Sequence, residues 1–202
     1  MDRQQIGGLT FVTDGHLGGY VEGGDPNTTY PLLWQHLIDT EGVQSVIDVG
    51  CGDGRGAAAW FGRHGVETVG VDGLAEMTLA PNLVLVRHDY TEGPFFLDEP
   101  VDLVWSAEFV EHVDERYVRN FLDTFVAGRL ILMTHAVPGQ PGYHHVNCQP
   151  SEYWIERVED RGYTLDRELT ARCRALAARE GSIPLGANYF MLTGLAFRKD
   201  TR

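Results

Sequence analysis

The sequence predicts an α/β fold: a doubly wound, mainly parallel sheet with helices on both faces. Three observations predict it. Short apolar runs at 45–49, 68–71, 83–86, 101–106 and 130–134 alternate with stretches of helical periodicity, the pattern of βαβ units. The first run, Ser45-Val46-Ile47-Asp48-Val49, has the β-branched character of a buried parallel strand. It ends in Gly50-Cys51-Gly52-Asp53-Gly54-Arg55-Gly56 and passes directly into Ala57-Ala58-Ala59, the strand–turn–helix junction at which open parallel sheets hold ligands.

Residues 1–30 are rich in glycine and turn formers, notably Gly18-Gly19-Tyr20 and Gly23-Gly24-Asp25-Pro26. They read as an extended segment or lid set before a single domain at 31–202. Helix is expected over 28–40, where Leu32, Leu33, His36 and Leu37 form a stripe. Another begins at Ala57, and residues 114–127 put Val118, Phe121, Leu122 and Phe125 on one helical face. Residues 153–161 form a helix closed by Gly162, 172–179 form another, and 189–197 form the final strand.

The charge narrows the partners. The formal net charge is −13, with 16 Lys and Arg against 29 Asp and Glu, which disfavours a polyanion such as nucleic acid. The cluster Arg167, Arg172, Arg174, Arg179 reads as a solvated helix face. No apolar run approaches the ~20 residues that span a bilayer, and the opening eight residues lack an apolar core. No membrane partner is expected, and the cytoplasm is the expected compartment. Cys51, Cys148 and Cys173 are widely spaced and read as reduced thiols. With no CxxC or HExxH spacing, no metal site is expected.

The glycine loop alone is ambiguous, since Gly52, Gly54 and Ala57 satisfy the dinucleotide pattern GxGxx(G/A). Two further acids and the strand acid decide the ligand. Asp48, inside the first strand, suits a ligand ammonium group and would repel a pyrophosphate. Asp72, ending the second strand, suits ribose hydroxyls, and Asp89, ending the third beside Tyr90, suits an adenine amino group.

These residues resemble the motifs of the class I S-adenosylmethionine-dependent methyltransferases. The resemblance rests on Val46-Ile47-Asp48-Val49-Gly50-Cys51-Gly52-Asp53-Gly54, on Gly70-Val71-Asp72-Gly73, on Asp89, and on Ala107-Glu108-Phe109-Val110-Glu111-His112 after the fourth strand. It covers roughly residues 40–135 and implies a Rossmann-like, seven-stranded sheet with S-adenosyl-L-methionine as cofactor. By position it implies cofactor contacts from Asp48, Gly50, Cys51, Gly52, Gly54, Asp72, Gly73, Asp89, Tyr90 and Ala107.

The acceptor side is read from chemistry. Three of the eight histidines, His135, His144 and His145, lie in the loop 134–148 after the fifth strand. A histidine suits a general base for a hydroxyl. His144 or His145 is the expected base, Glu111 and His112 are expected catalytic residues that orient the acceptor or support the cofactor loop, and His135 and Glu108 are further site residues. Tyr20 is a lid or active-site phenol. The expected function is O-methylation of a small molecule or glycan by a monomer or homodimer. The alternatives are an NAD-dependent oxidoreductase, which leaves Asp48 and Asp89 unexplained, and a non-catalytic cofactor-binding accessory protein.

Overall fold

Two sheets organise the chain. The computed structural model describes residues 1–6, 8–74 and 77–201. The first sheet is small and antiparallel, built from β1 (Asp2–Ile6), β2 (Leu9–Thr13) and β3 (Gly19–Val21) in that order. The segment expected to be merely extended therefore pairs with itself. It buries Val12 and Val21 and carries a 3₁₀ turn, Gly15–Leu17, between β2 and β3.

The large sheet comprises β4 (Ser45–Val49), β5 (Glu67–Asp72), β6 (Val84–Arg87), β7 (Val101–Ser106), β8 (Gly128–Met133), β9 (Tyr163–Leu165) and β10 (Leu195–Lys199). Its order is β6-β5-β4-β7-β8-β10-β9. The pairs β4·β5, β4·β7, β5·β6 and β7·β8 are parallel, and β10 runs antiparallel to both neighbours. The chain winds outward from β4 through β6, then returns to β7 and continues the other way. The order thus reverses between β4 and β7, and ligands bind at the carboxyl ends of strands flanking such a reversal.

Among the described residues six α-helices cover the faces: α1 (Pro31–Glu41), α2 (Ala57–Arg63), α3 (Val118–Phe125), α4 (Ser151–Glu159), α5 (Arg167–Ala177) and α6 (Tyr189–Thr193). Successive strand residues point to opposite faces. Val46, Leu103, Trp105, Leu130 and Leu132 pack with Trp34, Phe61 and Phe190 on one side. Ile47, Val49, Val104, Ile131 and Met133 pack with Phe121, Phe125 and Trp154 on the other. The helical face expected from Val118, Phe121, Leu122 and Phe125 is buried as one stripe.

Two expected elements differ. Residues 189–193 form helix α6, and the final strand begins only at Leu195. A short apolar run does not reveal its own period. Here Asn188 caps the helix, accepting the Met191 N–H at 3.1 Å. Phe190 stacks on Trp105 with ring centroids 5.3 Å apart and planes 8° apart, a pairing worth about 1 kcal/mol beyond its burial. The helix before it runs over Arg167–Ala177 rather than 172–179, because Asp166 accepts the Leu169 N–H and starts it earlier. The three cysteines are unpaired. No described helix is long and apolar enough to cross a membrane.

Candidate active site

Two adjoining cavities open at the β4/β7 reversal, of about 270 and about 370 Å³. Gly19, Gly50, Glu108 and His112 line both. The smaller also holds Tyr20, Asp48, Cys51, Gly52, Ala107, Gln140, His145 and Tyr189. The larger holds Asp72, Gly73, Asp89, Tyr90 and His144. Most of the residues expected at the site thus meet here. Three do not line either cavity: Gly54 lies under Leu83, Glu111 is fully buried, and His135 is 1% exposed, its Nε2 2.9 Å from Ser151 Oγ.

Each strand-end acid is held by nearby backbone. Asp48 Oδ2 accepts the Ala58 N–H at 3.0 Å, at the start of α2. Asp72 accepts from the N–H groups of Gly52 at 2.9 Å and Leu74 at 3.0 Å, tying β5 to the glycine loop. Asp89 accepts the Thr91 N–H at 2.8 Å. Burial raises the Asp48 pKa to about 7 despite the Ala58 bond. Burial also raises Asp72. The bonds from His16 and Thr91 outweigh burial at Asp89 and lower it.

The loop must carry glycine where it turns toward the cleft. Gly50 has φ 78°, and a Cβ there would lie 2.5 Å from the Phe109 ring, a conformation and an approach that only glycine permits. Asp48 lies in the cavity with the loop, and the Asp72–Gly73 and Asp89–Tyr90 pairs lie in the adjoining one.

The amino-terminal sheet lies across this cleft. Tyr20 sits over Gly52, Leu17 packs on Gly73, and Gly18 lies against the His112 ring. His16 Nε2 reaches Asp89 Oδ2 at 2.7 Å, and the Gly23 N–H donates to Asp53 Oδ2 at 2.8 Å. His16, Leu17, Asp53, Gln140 and Tyr189 are site residues that sequence reasoning missed. Only Asp53 carried a signal, its place inside the glycine loop.

On the acceptor side, Glu108 stands at φ 53° and His144 at φ 50°, sparsely populated conformations for non-glycine residues. Thr134 holds Glu108 twice: its Oγ1 accepts the Glu108 N–H at 2.8 Å and donates to Glu108 Oε1 at 3.0 Å. The Glu111 carbonyl accepts the N–H groups of Val146 and Asn147 at 3.0 and 3.1 Å, which pins the loop after β8 to the turn Val110–His112. His145 therefore meets His112 with ring centroids 5.0 Å apart. Burial, then the neighbouring His145 and His144, lowers the His112 pKa to about 4. Burial raises Glu108, and burial with the Glu108 charge pushes Glu111 well up. Both Glu111 carboxylate oxygens, His112 Nδ1 and the Tyr20 hydroxyl are buried without a hydrogen-bond partner.

Residues 47–125 match the family described as Methyltransferase domain. The phosphoethanolamine N-methyltransferase of Triticum aestivum is 24% identical over 163 residues, 73% of this chain and 29% of its own length. That of Zea mays is 23% identical over 163 residues, 73% of this chain and 30% of its own length. The chain thus spans about three tenths of the curated relatives it matches. A SAM-dependent methyltransferase from Archaeoglobus fulgidus superposes with TM-score 0.52 at 16% identity, covering 84% of this chain and 93% of that one. The sequence match spans β4 to α3, which includes the glycine loop, the three strand-end acids and the turn bearing Glu111 and His112. Together with the strand order, it makes residues 47–125 similar to a methyltransferase domain and gives the chain the fold of the class I S-adenosylmethionine-dependent methyltransferases.

Proposed function

We propose that the chain transfers a methyl group from S-adenosylmethionine to a hydroxyl of a small molecule or glycan, with His145 as the proton acceptor. One observation carries this reading: the cavity that holds Asp48 and Gly50 also holds His112 and His145. The cofactor supplies an electrophilic sulfonium methyl, so the protein has to place a nucleophile in line and take its proton. Asp48 binds the ammonium end. Asp72 receives the ribose, sharing its oxygens between the Gly52 and Leu74 amides and the ligand. Asp89 receives the adenine amino group in competition with His16.

The acceptor oxygen forms its bond to the methyl carbon as the sulfur–methyl bond breaks, and the hydroxyl proton passes to His145. His145 Nδ1 lies 3.2 Å from the Gln140 carbonyl oxygen, an acceptor only, so Nδ1 carries the hydrogen and Nε2 keeps the lone pair. His112 is the poorer base at neutral pH, because its pKa of about 4 leaves it unable to hold a proton there. It positions the acceptor with Glu111. The amino-terminal sheet, through Tyr20 and Leu17, serves as the lid that keeps water from the cleft.

The size of the cavity favours a small acceptor group. Among the described residues no Lys or Arg lines it, which disfavours a phosphorylated acceptor. The test is a screen of hydroxylated small molecules and glycans with methyl-labelled S-adenosylmethionine, followed by His145→Ala on the acceptor found. Turnover should fall by about 100-fold or more with S-adenosylhomocysteine affinity retained. Full turnover in His145→Ala removes the histidine base.

A further inference from the structure

We infer that Glu111, His112 and His145 form a binding site for a divalent first-row transition cation, with zinc the best fit. One ligand atom from each lies within 4.8 Å of those of the other two. Glu111 is 0% exposed, and neither of its carboxylate oxygens has a hydrogen-bond partner. A buried carboxylate left this way is strongly disfavoured unless a proton or a cation satisfies it. A second carboxyl, Glu108, stands beside it; among the described residues no lysine or arginine lines the smaller cavity, and Arg116 on the larger one is paired with Asp114.

The histidines are presented as ligating histidines are. A metal-bound imidazole usually donates its other ring N–H to a carbonyl or carboxylate, which fixes the ring and leaves one bare nitrogen. The His145 Nδ1–H is directed at the Gln140 carbonyl. The His112 ring keeps its Nδ1 buried and unpartnered. Two imidazoles and one carboxylate favour zinc, cobalt, iron or manganese over the all-oxygen preference of magnesium and calcium. Three protein ligands leave a fourth position open, as catalytic sites do and structural ones do not. His112 and His145 both line the smaller cavity, the space assigned to the acceptor, while Glu111 closes the cluster from beneath as a fully buried residue.

Cation uptake stands apart from methyl transfer; only the use of the open position rests on that reading. A hydroxyl entering it would lose its proton to solvent more readily, and His145 would then be a ligand rather than the proton acceptor. The experiment is calorimetric titration of chelator-treated protein with zinc sulfate, without cofactor or acceptor. A parallel titration with cobalt chloride is followed by visible absorption. The wild type should bind one equivalent. Glu111→Gln, which keeps the shape and removes the charge, and His145→Ala should each weaken binding by about 100-fold or more, beyond the loss typical of an outer-shell change. His144→Ala and Cys148→Ser should bind within about threefold of wild type. S-adenosylhomocysteine titration on each variant reports that the fold and cofactor seat survive. No uptake by the wild type, or equal uptake by Glu111→Gln, overturns the inference and leaves the methyltransferase reading standing. Absence of S-adenosylhomocysteine binding in the wild type does the reverse.

Discussion

The cofactor half and the acceptor half of the cleft are built differently. Asp48, Asp72 and Asp89 stand in or just after consecutive strands, and each is held by an amide close by in the fold: Ala58, then Gly52 and Leu74, then Thr91. That half is largely satisfied within the free protein. The acceptor half leaves Glu111, His112 Nδ1 and the Tyr20 hydroxyl unpartnered and holds two residues at positive φ. A buried polar group left unsatisfied calls for a proton, an ordered water or a ligand to complete it, and in this cluster the groups stand together at the cleft. On the proposed reading, a preformed donor seat sits beside an acceptor site completed only on binding.

The largest break expected is in the preformed half. Gly50→Ala forces a Cβ toward Phe109 at positive φ and should cost about 1–3 kcal/mol of stability. It should also remove measurable S-adenosylhomocysteine binding, as checked by calorimetry and thermal melting. Asp48→Asn comes next and should weaken that ligand by about 10- to 100-fold, the loss of one charge-assisted bond. The pH dependence follows from the sign of the shift. The Asp48 pKa is raised to about 7, so in the free protein the neutral form is favoured and its stabilising contribution fades as pH rises from about 4 to 7. A ligand ammonium needs the carboxylate, so affinity should rise with pH up to about 7 and level off. Asp48→Asn should flatten that profile.

The two halves also differ in how far the sequence reveals them. Strand ends are periodic and local, so a carboxyl-end acid is visible once its strand is recognised, and Asp48, Asp72 and Asp89 all lie at the cleft. The acceptor cluster comes from a meeting of distant segments. Its cause is the pair of bonds from the Val146 and Asn147 amides to the Glu111 carbonyl, and no spacing rule encodes that encounter. His135 shared the loop and the residue type but turned inward to Ser151. The pairing of β1 with β2 lay hidden because β1, with Ile6 as its one apolar residue, has no apolar period to mark it as a strand.

Two smaller effects sharpen the contrast. Gly142→Ala puts a Cβ into the His145 ring and should lower turnover by about 10-fold or more through misplacement, with cofactor affinity unchanged. Turnover and calorimetry on the same variant check this. His16→Ala removes the half-exposed bond to Asp89. At about 0–1 kcal/mol for such a pair, it should change the S-adenosylhomocysteine dissociation rate by less than about fivefold in stopped-flow measurements.

The most direct measurement is thermal unfolding of the wild type with S-adenosylhomocysteine, with NAD and with neither. At about 100 times its dissociation constant, S-adenosylhomocysteine should stabilise the fold by about 2.7 kcal/mol, and NAD should leave the melting temperature where it was. Stabilisation by NAD with none from S-adenosylhomocysteine would contradict the assignment of Asp48 to a ligand ammonium and, with it, the methyltransferase reading.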